Sequence, residues 1–331
     1  MPTGALRTAG ERVAVRAGER WFRLLQQATG TGLDEEYGTP SVVLEVSADR
    51  AAFGTGGLRR ISRDAFGDGG RSVLLNAGGS GFDLQAQVSG EVLYLQARYR
   101  PAAPVRAANV LLGPRFGLLA GQVLLHYPAL WRAAWRGRVP LHAAVVGLPE
   151  AGAVLLLAGP SGVGKSTLVA GLAAAGAPVA ADNLCVTDGI DCHGVLEPFR
   201  LAGGRGRRTS HGRAEQPVPG RVPMLRPTVL AVAERGPRAQ RTPVEPADAA
   251  RALVAGTYAA GELRRYWQFA ATLALATGVG PAHPPVAAVA GALAGRLPGH
   301  RLRAAEGEPL AVPFGNPELR QAELSRIGEQ P

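Results

Sequence analysis

Lysine is almost missing from this chain: of 36 Lys and Arg residues among 331, one is lysine, Lys165. Arginine supplies the positive charge everywhere else, so a general preference for lysine cannot explain position 165. A compact, mobile ammonium reaches between two phosphate groups where a planar guanidinium does not fit. Cysteine is scarce as well. Cys185 and Cys192 are the whole complement, too few for a metal site. No basic-then-apolar leader opens the sequence, so secretion is not expected. The apolar stretches near residues 117–130 and 269–293 are interrupted by Gly, Pro, Gln or His, which argues against a membrane span. A cytoplasmic protein is expected.

The formal net charge of +10 and pI near 10.6 raise nucleic acid as a partner. Helix-turn-helix, zinc-finger and RNA-binding signatures are absent. The densest basic cluster, Arg200, Arg205, Arg207, Arg208 and Arg213, lies in a Gly-rich segment without aromatic interleaving. Nucleic acid is therefore not the favoured partner. Residues 201–220 read as a mobile basic lid, or as a loop that meets phosphates or an acidic partner.

What is present centres on Lys165. It stands in Gly159-Pro160-Ser161-Gly162-Val163-Gly164-Lys165-Ser166-Thr167, a glycine-rich pattern whose backbone N–H groups can turn toward an anion. An apolar strand-like run, residues 153–158, precedes it, and a helical stretch, residues 168–175, follows and closes at Gly176. The helix N-terminus adds partial positive charge at a bound phosphate. The Ser166 hydroxyl is placed to ligate Mg²⁺.

Around this unit the chain divides into a β-rich N-terminal domain (1–104), a helical connector (105–138) and a nucleotide-binding α/β domain (139–331). Short apolar runs at 41–46, 71–76, 82–88 and 92–99 read as strands of the first part. Within 140–147, a buried strand, His142 is the odd residue: a core histidine or a functional one. Residues 177–181 form a further strand ending in Asp182-Asn183. A carboxylate there faces a ligand crevice and can ligate Mg²⁺ or deprotonate an attacking hydroxyl, or else open an Asx-turn. Glu234, ending an apolar run at 228–233, is a weaker second carboxylate. Asp188-Gly189 reads as a two-residue hairpin turn, pairing Thr187 with Ile190, Val186 with Asp191 and Cys185 with Cys192, two free thiols.

Leu141-His142, the loop 159–167 and Val179-Ala180-Ala181-Asp182-Asn183, in that order and spacing, resemble the catalytic domain of the HPr kinase/phosphorylase family. The likeness covers roughly residues 139–201 and is nearer to the divergent HPr-kinase-like proteins that accompany ribosomal-peptide biosynthesis, lasso peptides included. The resemblance implies ATP and Mg²⁺, with Lys165 on the phosphates, Ser166, Asp182 and Asn183 at the metal, Asp182 as base and His142 as the family histidine. It implies a serine acceptor on a protein or small peptide, with a homo-oligomer possible. Two departures stand out. Asn183 replaces a carboxylate, which weakens metal binding and counts against the family's reverse activity, and Thr167 stands where Glu is usual. Guanylate kinases and transporter ATPases share the loop, but the Arg-rich GMP segment and the LSGGQ-type signature are missing. The competing reading is a nucleotide-binding regulatory ATPase that acts through its N-terminal domain.

Overall fold

Alternating apolar residues separated by glycine turns build the first sheet. In the computed structural model, which describes residues 2–31, 33, 38–202, 206–209 and 212–311, its strands are β1 (Thr3–Thr8), β2 (Glu11–Ala17), β3 (Val42–Ser47), β4 (Arg59–Ser62), β5 (Ala65–Gly67), β6 (Arg71–Leu74), β7 (Phe82–Ser89) and β8 (Val92–Tyr99). Their spatial order is β1-β2-β3-β8-β7-β6-β5-β4. Helix α1 (Glu19–Thr29) carries the chain from β2 to its parallel neighbour β3. The four strands expected from the sequence are β3, β6, β7 and β8. The β1–β2 hairpin and α1 were not expected, because charged residues dilute the pattern. Yet Val13, Val15 and Ala17 alternate inward and are fully buried, and Ala9 and Gly10 both take positive φ to make the turn.

The stretch after β8 is helical: α2 (Ala103–Leu111), α3 (Gly113–Gly121) and α4 (Tyr127–Ala134). Pro128 has no N–H to bond the preceding turn, and the helix accommodates it with a π-helical turn over Gln122–His126. Leu124, Leu130 and Trp131 from this region share a hydrophobic cluster with Val13, Leu44 and Leu95 of the first sheet. No single helix among the described residues is long and apolar enough to cross a membrane.

The chain is mixed α/β, and its second large sheet shows the layering most clearly. After β9 (Val139–Leu141) come β10 (Ala143–Leu148), β11 (Ala153–Ala158), α5 (Lys165–Ala174), β12 (Val179–Ala181), β13 (Cys185–Thr187), β14 (Cys192–Gly194), β15 (Phe199–Leu201), β16 (Arg207–Arg208), β17 (Ala214–Gln216), β18 (Met224–Leu225), β19 (Val229–Gly236), β20 (Gln240–Pro243), α6 (Pro246–Ala259), α7 (Arg264–Thr277), α8 (Val286–Arg296) and β21 (Gly299–Ala305). The sheet order is β12-β10-β11-β19-β21-β20. Val145, Leu156 and Leu230 point to one face, where they pack on Leu253 of α6 and Leu293 of α8. Val146, Leu155, Leu157 and Ala231 point to the other, against Val169 and Ala173 of α5. The period of two along each strand is what separates these layers. Helix α7 turns mainly away from this half: Tyr266, Phe269 and Leu273 join the cluster under the first sheet, and Trp267 packs against both clusters.

Three local expectations are corrected. The hairpin of β13 and β14 pairs Cys185 with Gly194, Val186 with His193 and Thr187 with Cys192. Asp188 Oδ1 accepts from the N–H groups of Ile190 and Asp191, so the loop holds four residues and the register moves by two. The thiols still meet diagonally, and their mutual hydrogen bond, with burial, pushes the Cys185 thiol up. Residues 199–216 include a small antiparallel sheet, β15-β17-β16, in place of a lid without structure. Arg207 pairs with Glu215 at 2.8 Å and Arg200 with Glu197 at 2.9 Å, so these arginines are neutralised by local acids; Arg205 lies outside the described residues. Finally, β19 does not end at Glu234, whose carboxylate is held by Arg303 at 2.6 Å and Arg301 at 3.6 Å.

Gly194 carries a packing constraint that bears on the site. A Cβ there would lie 1.8 Å from the Ala180 carbonyl oxygen of β12, two residues before Asp182. Gly194→Ala is expected to destabilise the protein by about 2 kcal/mol or more, read as a lower midpoint in chemical denaturation. An unchanged midpoint would mean that β12 and β14 are not in close register.

Candidate active site

The glycine-rich loop links the end of β11 to the start of α5, and its glycines are needed where they stand. Gly159, Gly162 and Gly164 take φ of 150°, 84° and 111°, in the region that side chains disfavour. Gly159 is also closed in by the Ala233 carbonyl, which a Cβ would approach to 2.7 Å. Val163 turns inward into the cluster beneath α5 and anchors the loop, while Ser161, Gly162 and Thr167 are exposed. Lys165 is buried. Its ammonium donates to the carbonyls of Gly159 at 2.7 Å and Pro160 at 3.1 Å. Burial pushes its pKa down, opposed by the charges of Asp182 and Glu262. The side chain is thus folded back on its own loop, with two weak partners that an anion can replace.

Strand β12 delivers Asp182 to the same place. One carboxylate oxygen accepts from the Ser166 hydroxyl, and Oδ1 is buried without a partner. An orphaned buried oxygen is costly, so it does not serve as an Asx cap. Burial pushes the Asp182 carboxyl up to about 6, against the lowering effect of Ser166 and Lys165. Its proton affinity therefore lies near neutrality, the range suited to a general base.

His142 falls between β9 and β10, where the chain passes from one sheet to another. Its backbone N–H donates to Thr257 Oγ1 at 3.1 Å, and its Nε2 lies 3.0 Å from Asn183 Oδ1. The Asn183 amide nitrogen faces two carboxylates, Glu262 at 3.4 Å and Glu197. Those contacts fix the amide: nitrogen toward the acids, oxygen toward His142, which must then donate from Nε2. His142 Nδ1 is left buried and unpartnered. Burial, and then the Lys165 charge, push the His142 pKa down, so the ring is neutral at pH 7. Burial acts to raise Glu197, but Arg200, His126 and the Asn183 hydrogen bond outweigh it and hold its carboxyl below the usual range.

The sequence-chosen residues thus converge: Lys165, Ser166 and Asp182 are in mutual reach, and Asn183 ties His142 to the same cluster. Glu197, Glu262 and Arg221 complete it and were missed. Arg221 donates to the Glu197 carbonyl; burial lowers its pKa, opposed by Glu197 and Asp182. No motif surrounds these three, and the fold alone brings them in, Glu262 from the turn between α6 and α7. Among the described residues no cluster of three or more His, Cys, Asp or Glu could hold a metal by itself. The pairing of one hydroxyl with one under-used carboxylate fits Mg²⁺, which is commonly bound by one or two carboxylates together with substrate phosphates. No protein-family model matches this chain, and no curated protein sequence does either.

Two stability tests follow. The unfolded Asp182 has the ordinary value of 3.8 and the folded one about 6, so the ionised form costs stability above pH 6 and that cost vanishes below pH 4. Asp182→Asn should raise the melting temperature at pH 7.5, by up to about 3 kcal/mol of stability, and the gain should shrink as pH falls from 6 to 4. Asn183→Asp should do the reverse. It removes the donor to Glu197 and Glu262 and sets a third carboxylate among them, so stability should fall at pH 7.5 and recover on acidification; equal melting at both pH values would refute the amide's placement.

Proposed function

We propose that the chain is an ATP-dependent, Mg²⁺-requiring kinase of the HPr kinase/phosphorylase type that phosphorylates a serine of a protein or ribosomally made peptide. The observation that carries this reading is the Asp182 carboxylate: one oxygen on Ser166, the other buried and free, with a pKa near 6, beside the only lysine of the chain. The order Leu141-His142, loop and Asp182-Asn183 supports the family assignment. The glycine-loop N–H groups and the α5 N-terminus would receive the phosphates of ATP. Lys165 would exchange the Gly159 and Pro160 carbonyls for phosphate oxygens. Ser166 and Asp182 would hold Mg²⁺, which supplies neutralisation of the charge on the β- and γ-phosphates. Asp182 would accept the proton of the serine hydroxyl as that oxygen bonds to the γ-phosphorus and ADP departs. Neutral His142 would keep Asn183 oriented, and Asn183 would restrain Glu197 and Glu262 so that neither displaces the lysine.

A second reading, a nucleotide-regulated protein that signals through its first sheet, draws on one contact. The Tyr127 hydroxyl donates to the Glu262 carbonyl at 2.9 Å, which joins the site to the cluster under that sheet. Transfer of label from γ-labelled ATP to a serine acceptor separates the two, because a regulator would hydrolyse without transfer.

Lys165→Arg should abolish transfer while leaving the melting curve in place, since the guanidinium cannot occupy the loop. Asp182→Asn should lower kcat by about 10²-fold or more, beyond any weakening of Mg²⁺-ATP binding. The wild-type rate should fall as pH drops through about 6, because the base must be unprotonated. Loss of Mg²⁺-ATP binding in the Asn variant, with no separate effect on kcat, would reassign Asp182 as a metal ligand only.

A further inference from the structure

Several arginines line a cleft between the β1–β2 hairpin and the β12, β14 and β18 strands. A cavity of about 400 Å³ lies there, lined by Leu6, Arg7, Arg12, Ala180, Arg221 and Pro223 among others. It continues into a second of about 400 Å³ that shares Arg7, Arg12 and Pro223 and runs past Arg136 and His193. Arg7 and Arg12 stand directly opposite each other in the β1–β2 register. Like charges so placed repel, and neither makes an ion pair with a described residue. The one acid in the lining, Glu11, is buried and is occupied by Arg136 at 3.8 Å and Arg138 at 3.4 Å. Two opposed arginines with a third at the inner end form a basic surface that no acid among the described residues balances.

The cleft borders the candidate active site at one wall residue, Arg221. Ala180 belongs to the strand that ends at Asp182, and Arg221 donates to the Glu197 carbonyl while feeling the Asp182 charge. Its walls combine these arginines with aliphatic surface from Leu6, Ala180, Leu196 and Val222, and among the described lining residues there is no Phe, Tyr or Trp. Single-stranded nucleic acid is held by stacking on aromatic rings, whereas carboxylates pair with guanidinium forks and an extended peptide uses aliphatic walls for its side chains.

Resting on the kinase reading above, we propose that this cleft binds an acidic stretch of the acceptor polypeptide and so presents its neighbouring serine to Asp182. The arginines select the substrate by charge. Asp182 and the glycine loop carry the chemistry.

The test is direct binding of a short fluorescein-labelled peptide of Asp and Glu residues around one central Ser, followed by anisotropy. It is compared with the Asn/Gln version of that peptide and with a single-stranded oligothymidylate. The acidic peptide should bind, the neutral one should not, and affinity should fall with salt. Arg7→Glu/Arg12→Glu, both on a surface hairpin, should weaken binding by at least about tenfold while the melting temperature and the KM for ATP stay at wild-type values. Where phosphotransfer to the peptide is measured, the same variant should raise the acceptor KM. Peptide binding unchanged by the double charge reversal overturns the proposal, and so does an oligothymidylate that binds more tightly and displaces the peptide. Arginine-dependent peptide binding without any transfer of label supports the cleft and removes the kinase reading instead, so the two can fail separately.

Discussion

A buried carboxylate beside a buried ammonium, neither neutralised by the other alone, is the constraint around which this molecule is arranged. Asp182 and Lys165 each lose solvation on burial, and Asp182 Oδ1 is left without a partner. The surroundings are built to hold that tension. Glycines at left-handed φ let the loop close over the ammonium. Strand β12 sets the carboxylate against the first turn of α5, and the packing of Gly194 on Ala180 leaves that strand no lateral freedom.

The asparagine after Asp182 is explained by the same electrostatics. Beside Glu197 and Glu262, an aspartate at 183 would be a third like charge in a poorly hydrated space, whereas an amide donates to the acids and accepts from His142 at the same time. The second negative charge near the lysine comes from Glu262, which arrives from a distant turn. Arginine economy follows similar lines: Arg200, Arg207 and Arg303 are engaged by Glu197, Glu215 and Glu234, and the hairpin arginines are left facing outward into the cleft.

Local chemistry was legible in the sequence and long-range assembly was not. The glycine loop, its flanking strand and helix, and the strand ending at Asp182 each declare themselves within a few residues, since turn geometry and apolar period are local properties. Glu197, Arg221 and Glu262 carry no such signature, being isolated polar residues whose role depends on which strands become neighbours. The β1–β2 hairpin was hidden because its outward positions are arginines, so the period of two shows only once the inward Val13, Val15 and Ala17 are seen buried. The hairpin of Cys185 and Cys192 was misread for a side-chain reason: the Asp188 carboxylate satisfies two loop N–H groups and stabilises a longer loop than the Asp-Gly pair suggests.

The hydrogen bond from the Tyr127 hydroxyl to the Glu262 carbonyl ties the turn that carries Glu262 to the cluster under the first sheet. Tyr127 begins α4, which is packed under the first sheet, and Glu262 lies one residue before Leu263, which is buried in that same cluster. Burial pushes the Tyr127 phenol far above its ordinary range, so this donor keeps its proton at any pH the protein meets. The packing under the N-terminal sheet therefore helps to fix where Glu262 stands, although none of that sheet's own side chains enters the site.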